Sequence, residues 1–331
     1  VWNHAAARDI KHIIKKQNID AVHIHNTLLL LSPAVVRAAK STGVPVVQTL
    51  HNFRLFCPNG ILLRDGRVCE DCPRHGLSCA IRHRCYRGSL AQTLVVAAAY
   101  GLHRRLGTWR GVTMVALTEF DRQKLLEFNR QYPMFDADRL VVKPNPVCVP
   151  SGPVNPWGDR KNQMLFAGRL EELKGLRTVL EAWRLLGDAA PALLVAGDGP
   201  LGDWARAQNL PNVQFLGQLP RAELHARMAE SRAVVAASLC YESFALVPAE
   251  AHALGTPVLA SGLGNVGASV QPGFDGLCFA PGDANALAGA VRAFGQMSFD
   301  CNAIAARARR TYSEDENYNA LMRFYTKGTI Q

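Results

Sequence analysis

The residues with the clearest chemical purpose lie between Ser238 and Val258, in the run Ser-Leu-Cys-Tyr-Glu-Ser-Phe-Ala-Leu-Val-Pro-Ala-Glu-Ala-His-Ala-Leu-Gly-Thr-Pro-Val. An apolar stretch leads into a loop carrying Glu242, and a helix is expected to follow and to end at Gly255. Pro248 suits the first turn of that helix, where an N–H has no partner to lose. The main-chain amides around Phe244, Ala245, Leu246 and Val247, beside Ser243, then lie at a helix N-terminus. Unpaired amides and the helix dipole attract phosphate there. Glu242 and Glu250 flank this seat, and ionised carboxylates accept hydrogen bonds from hydroxyl groups. A phosphate with sugar hydroxyls on either side fits the pattern. The plainer alternative makes Glu242 a helix cap and Glu250 a solvent-facing residue.

Two further turns point the same way. In Phe166-Ala-Gly-Arg-Leu-Glu-Glu-Leu-Lys-Gly-Leu176 a strand ends at Gly168, and Arg169 and Lys174 follow in the loop before a helix. Two cations at the carboxyl end of a strand can neutralise a diphosphate in the crevice of an α/β sheet. Taken singly, each would be an ordinary solvated charge. In Val195-Ala-Gly-Asp-Gly-Pro200 the residues Gly197, Asp198 and Gly199 form another turn at a strand end. Three such turns on one sheet make a binding site.

The elements that must position these residues alternate between short apolar runs and helical patterns, the signature of parallel sheets with crossover helices. Strands are predicted at 21–25, 45–50, 112–117 and 140–143, then at 163–167, 192–196, 213–216, 233–237, 257–260 and 277–279. Helices are predicted at 5–17, 32–41, 89–106 and 284–294, the last capped by Asp283. The run Lys143-Pro-Asn-Pro-Val-Cys-Val-Pro150 reads as an extended linker. The expected fold is therefore α/β, with two doubly wound Rossmann-like domains facing across a cleft. Residues 1–148 form the first and residues 149–310 the second, and a helix over 311–331 is expected to pack back toward the first. No glycine turn follows the strand near Ala21, so the first βαβ unit of the N-terminal domain is expected to be missing.

The net charge of +10 is unevenly placed. Residues 1–150 hold 21 Lys and Arg against 10 Asp and Glu, a balance of +11, whereas residues 151–331 hold 16 against 17. Such a bias suggests an anionic partner for the N-terminal half, or simply a soluble basic face. No run of 18 apolar residues suggests a membrane span.

The pattern resembles the family 4 glycosyltransferases of the GT-B fold. The pair Glu242/Glu250, the Gly-Arg-Leu…Lys-Gly element, the Gly-Asp-Gly-Pro turn and the Gly-Thr-Pro-Val strand carry the resemblance. It implies that Arg169 and Lys174 hold a donor diphosphate, that Glu242 contacts the donor sugar and that Glu250 contacts the ribose. The base would lie near Gly217-Gln-Leu219. Asp20-Ala-Val-His-Ile-His-Asn26 resembles the family's strand ending in histidines, and Thr49-Leu-His-Asn-Phe53 the strand end whose histidine, here His51, faces the transferred sugar. The implied reaction moves a sugar from a nucleotide-diphosphate sugar to a glycan or lipid-linked acceptor, with retention at the anomeric carbon. It needs no cofactor, since Arg169 and Lys174 supply the positive charge. Polysaccharide or cell-envelope glycan synthesis is the expected setting. A cytoplasmic location is expected, with the basic domain against the anionic inner face of the plasma membrane. Competing readings are an epimerase of similar architecture and a basic Cys-rich nucleic-acid-binding protein. The second is disfavoured by the lack of interleaved aromatics near the cysteines.

Five cysteines cluster in an insertion at 57–85: Cys57, Cys69, Cys72, Cys79 and Cys85. Cys69-Glu-Asp-Cys72 has zinc-knuckle spacing, and a loop poor in apolar residues would need a staple. Structural zinc is the preferred expectation. Disulfides, an iron–sulfur cluster and free thiols remain open.

Overall fold

The computed structural model describes residues 1–326 apart from positions 29 and 151. Position 151, just past the expected linker, and positions 327–331 of the expected C-terminal helix lie outside the described residues. The chain divides into two compact units, one comprising residues 1–145 with 315 onward, the other Pro146–Glu314.

The first unit begins with α1 (His4–Lys16), β1 (Val22–Ile24), α2 (Ala34–Lys40) and β2 (Val46–Thr49). An insertion follows: the hairpin β3 (Leu63–Arg64) and β4 (Arg67–Val68), then α3 (Asp71–His75) and α4 (Ser78–His83). The fold resumes with α5 (Leu90–Arg105), β5 (Thr113–Ala116), α6 (Glu119–Gln131) and β6 (Leu140–Val142). Its sheet has the order β1-β2-β5-β6 and every pair is parallel. β2 and β5 are buried throughout, as strands covered on both faces must be. Asn3 caps α1 by accepting from the Ala6 N–H at 3.0 Å, which satisfies one orphan amide of the first turn.

The second unit runs β7 (Lys161–Ala167), α7 (Leu176–Leu186), β8 (Ala192–Ala196), α8 (Gly202–Arg206), β9 (Val213–Gly217) and α9 (Arg221–Glu230). It continues with β10 (Ser231–Ala236), α10 (Leu246–Ala253), β11 (Val258–Ser261), α11 (Gly264–Ala268), β12 (Gly276–Phe279), α12 (Ala284–Phe294) and α13 (Cys301–Thr311). Its all-parallel sheet has the order β12-β11-β10-β7-β8-β9. The winding reverses between β7 and β10, and the crevice at the carboxyl ends of those two strands is where open α/β sheets bind ligands. α7 and α12 cover one face through Leu180, Trp183, Leu287 and Phe294. Asp283 caps α12, its carboxylate accepting from the Ala286 N–H at 2.9 Å.

The last helix, α14 (Glu314–Thr326), groups from Asp315 with the first unit, where the Asn317 amide donates to the Pro144 carbonyl at 2.7 Å. Among the described residues no helix is long and apolar enough to cross a membrane.

Candidate active site

The reversal point of the second sheet holds a cavity of about 310 Å³. Its walls include Gly168, Arg169 and Lys174 after β7, Ser238 and Glu242 after β10, and Phe244, Leu246 and Val247 at the start of α10. Glycine is required where these loops crowd. A Cβ on Gly197 would meet the Gly168 carbonyl oxygen at 1.9 Å, and one on Gly199 the Leu170 oxygen at 2.6 Å. The Gly197 N–H donates to the Gly217 carbonyl at 2.7 Å, so the β8 turn braces the β7 turn on one side and the end of β9 on the other. Gly197, Asp198 and Gly199 therefore shape the cavity from behind and do not line it. Asp198 spends its Oδ1 on the Gly199 N–H at 2.8 Å.

Lys174 and Glu242 meet inside this cavity, Nζ to Oε1 at 2.9 Å, with side chains 32% and 18% exposed. The Ser238 hydroxyl donates to the same carboxylate oxygen. Glu242 is thus held by its own loop and by the β7 loop, and no side chain caps α10. The helix-cap alternative for Glu242 does not hold: the Glu242 carboxylate is spent on Lys174 and Ser238. Arg169 has a side chain 67% exposed, with Nε 3.5 Å from Glu171. It lines the cavity with a solvated charge that a ligand could recruit.

Glu250 does not face solvent. It is buried on α10, and Arg221 of α9 binds it at 3.0 Å. The buried His225 Nε2 lies 3.4 Å away, short of hydrogen-bond geometry. Glu250, Ser243 and Ala245 are not among the residues lining the cavity. Arg221 and His225 stand four positions apart on one helix face, a spacing that could have flagged them.

In the first unit, three histidines stack at the carboxyl ends of β1 and β2. Ring centroids are 4.4 Å apart for His23 and His25 and 5.0 Å for His25 and His51. His25 Nδ1 and His51 Nε2 share one hydrogen bond at 2.7 Å. His23 bridges the Tyr325 hydroxyl at 2.6 Å and the Thr49 hydroxyl at 2.8 Å. His51 was expected as a site residue; its coupling to His25, His23 and Tyr325 was not. No local pattern links positions 23 and 325. Thr118 caps α6 by accepting from the Asp121 N–H at 3.0 Å.

Residues 153–311 match the family model for glycosyl transferases group 1, and residues 1–146 match the glycosyl transferase 4-like domain. The chain belongs to the family 4 glycosyltransferases of the GT-B fold. It is 39% identical to a glycogen synthase of Mycobacterium tuberculosis over 137 residues, covering 39% of this chain and 33% of that protein. It is 32% identical to a D-inositol 3-phosphate glycosyltransferase of Mycolicibacterium paratuberculosis over 182 residues, covering 50% of this chain and 40% of that one. These matches span less than half the length of either curated relative. A glycosyltransferase structure from Rickettsia africae superposes with a TM-score of 0.65 at 19% identity, covering 98% of this chain and 80% of that one. Anabaena HepE in complex with UDP gives 0.64 at 16% identity, covering 96% and 80%. At such identities the likeness speaks for the fold.

Structural zinc at Cys57, Cys69, Cys72, Cys79 and Cys85 is not supported in this glycosyltransferase. All five are free thiols, and among the described residues no group of three or more His, Cys, Asp or Glu side chains is placed to hold a metal ion. Burial pushes the Cys72 thiol up, with the neighbouring Cys57, Cys85 and Cys79 adding to the effect. The physical reason lies in the premise that the insertion lacks apolar anchors. Phe53, Leu55, Phe56, Leu62 and Tyr86 are buried, and Phe53 and Phe56 pack on Phe128 of α6. Glu70 pairs with Lys124 of the same helix at 2.8 Å.

The histidine stack sets a pH dependence. His25 and His51 share one proton, so charging both would oppose two N–H groups across 2.7 Å. Burial, then His25, Lys143 and His51, lower the His23 pKa to about 4. Burial is also the main cause lowering His25 and His51. Because an unfolded histidine titrates near 6.5, the unfolded chain binds more protons than the native one between about pH 4 and 6.5. Stability therefore rises with pH across that window and is fully present above it. For the partly exposed His23 about 2 kcal/mol is expected after allowing for solvent screening. Urea titrations from pH 4 to 7.5 should show a steeper slope for the wild type than for His23→Gln; parallel slopes would discard the idea.

Proposed function

We propose that this glycosyltransferase moves a sugar from a nucleotide-diphosphate sugar to a glycan or lipid-linked acceptor, with retention of configuration. The convergence of Arg169, Lys174, Glu242 and the uncapped start of α10 on one cavity carries the reading. UDP in the structure of HepE, a protein of the same fold, supports a nucleoside diphosphate as the donor's leaving group. In this reading the second unit binds the donor. Arg169 and Lys174 neutralise the diphosphate, with the amides of Phe244 to Val247 adding hydrogen bonds. Glu242 takes sugar hydroxyls and Glu250 the ribose. Glu250 would then release or share Arg221. The first unit binds the acceptor, and His51 faces the transferred sugar.

The acceptor oxygen attacks the anomeric carbon on the face from which the diphosphate leaves. The carbon–oxygen bond to the acceptor forms as the bond to diphosphate breaks, and the acceptor proton passes to the departing diphosphate. The polarity of the charge distribution fits this division: the excess of cations sits in residues 1–150, suited to an anionic membrane at the cytoplasmic face where cell-envelope glycans are built.

Titration of the purified protein with UDP, GDP and their sugars tests the reading. One nucleotide should raise the melting temperature at millimolar concentration through preferential binding to the native state. Glu242→Ala should weaken the sugar form more than the free diphosphate. If no nucleotide or nucleotide sugar binds, the proposal fails.

A further inference from the structure

α5 carries apolar side chains on both faces yet is buried on only one. Thr93, Val96, Ala99, Tyr100 and His103 face the core. On the opposite face Leu90, Leu94, Val95 and Leu102 are exposed, Val95 by 54%, and Leu106 continues the stripe just past the helix. At 100° per residue these positions fall within one half of the helix circumference. A soluble helix normally puts charge there. Here no Asp, Glu, Lys or Arg occurs from position 88 to position 103.

The surroundings state what covers the stripe. From position 72 to position 118 there is no Asp or Glu, and there are seven Arg. Arg82, Arg84 and Arg87 are exposed just before the helix, Arg105 and Arg110 at its far end. The 16 residues of α5 extend about 24 Å. A long apolar stripe bracketed by arginines, in a stretch of sequence without a carboxylate, matches the layered chemistry of an anionic bilayer: hydrocarbon against Leu and Val, phosphate against guanidinium. A second copy of the chain would bring the same cations to the contact and be repelled. A nucleic acid would meet no stacking surface on Leu and Val.

We propose that α5 is the membrane-docking element of this protein, lying flat in the headgroup region of an anionic bilayer. The inference rests on the membrane partner named under the proposed function and assigns it a surface. It gives the basic charge of the first unit a location and accounts for an apolar stripe that the fold leaves uncovered.

Sedimentation with phosphatidylcholine vesicles, with and without 30 mol% phosphatidylglycerol, tests it. The wild type should partition about tenfold more strongly onto the anionic vesicles. Leu94→Ser/Val95→Ser should lose about tenfold on the same vesicles without altering the melting temperature, since both side chains are exposed. Arg82→Ser/Arg84→Ser/Arg87→Ser should abolish the preference for anionic lipid. If the wild type binds anionic vesicles and the Leu94→Ser/Val95→Ser protein binds equally well, α5 is not the surface while the membrane reading stands. If the wild type binds neither vesicle, both fall, and nucleotide titration of the same sample shows whether the transferase reading survives. Self-association lost in Leu94→Ser/Val95→Ser, with no lipid binding, would overturn the proposal in favour of a dimer face.

Discussion

Lys174→Ala should lower kcat/KM on the cognate nucleotide sugar by about a thousandfold, the loss expected if this cation faces the developing negative charge as proposed. The expectation rests on placement. Lys174 is two-thirds shielded from solvent and touches Glu242 at 2.9 Å, so its charge acts where water screens it poorly. Arg169, 67% exposed and tied only loosely to Glu171, should lose less when replaced by alanine. Lys174→Arg keeps the charge but not the compact ammonium, and should recover part of the activity. The double variant Lys174→Ala/Glu242→Ala should lose less than the product of the single losses, because each single change leaves its partner's charge half-buried without its counterion. Melting temperatures within a few degrees of wild type would show that the loss is chemical. Retention of more than a tenth of the activity by Lys174→Ala would remove it from the diphosphate site.

Much of this was legible in the residues. Each of the ten predicted strands occurs, because parallel strands buried on both faces are continuous apolar runs and glycine or proline marks nearly every end. The cavity was legible for the same reason: Arg169, Lys174 and Glu242 stand at the ends of β7 and β10, and those strands flank the reversal point. What escaped was long-range. Glu250 was open to a solvent-facing reading because Arg221, its partner, and His225, which lies beside it, belong to a different helix. Tyr325 reaches His23 across 302 positions, a pairing that no local spacing encodes. The cysteine insertion misled through composition. Its buried anchors, Phe53, Phe56 and Tyr86, lie beyond its margins, and the two phenylalanines pack on Phe128, so a count of apolar residues between the cysteines understates what holds it.

Gly175→Ala should cost at least about 3 kcal/mol, more than its backbone angle alone explains. Gly175 has φ of +72°, and a Cβ built there would sit 2.0 Å from the carbonyl oxygen of Ala237. Both partners are main chain, so neither can rotate away. Relief requires the loop after β7 to separate from the loop after β10. Those loops carry Lys174 and Ser238 on either side of the contact, and Glu242 hangs from the second. The strain would therefore spread into the cavity, and nucleotide affinity should fall together with stability. For a unit of the size of Pro146–Glu314 the loss corresponds to a fall in melting temperature of about 6–12 °C. Gly273→Ala supplies the control, with φ of +83° and nothing within 4 Å of the added Cβ. It should cost only the backbone term, about 1 kcal/mol, and leave nucleotide binding intact. Equal destabilisation of the two variants would show that close approach of the loops is not what requires glycine at position 175. A Gly175→Ala protein that melts early yet binds nucleotide normally would separate that packing from the donor site.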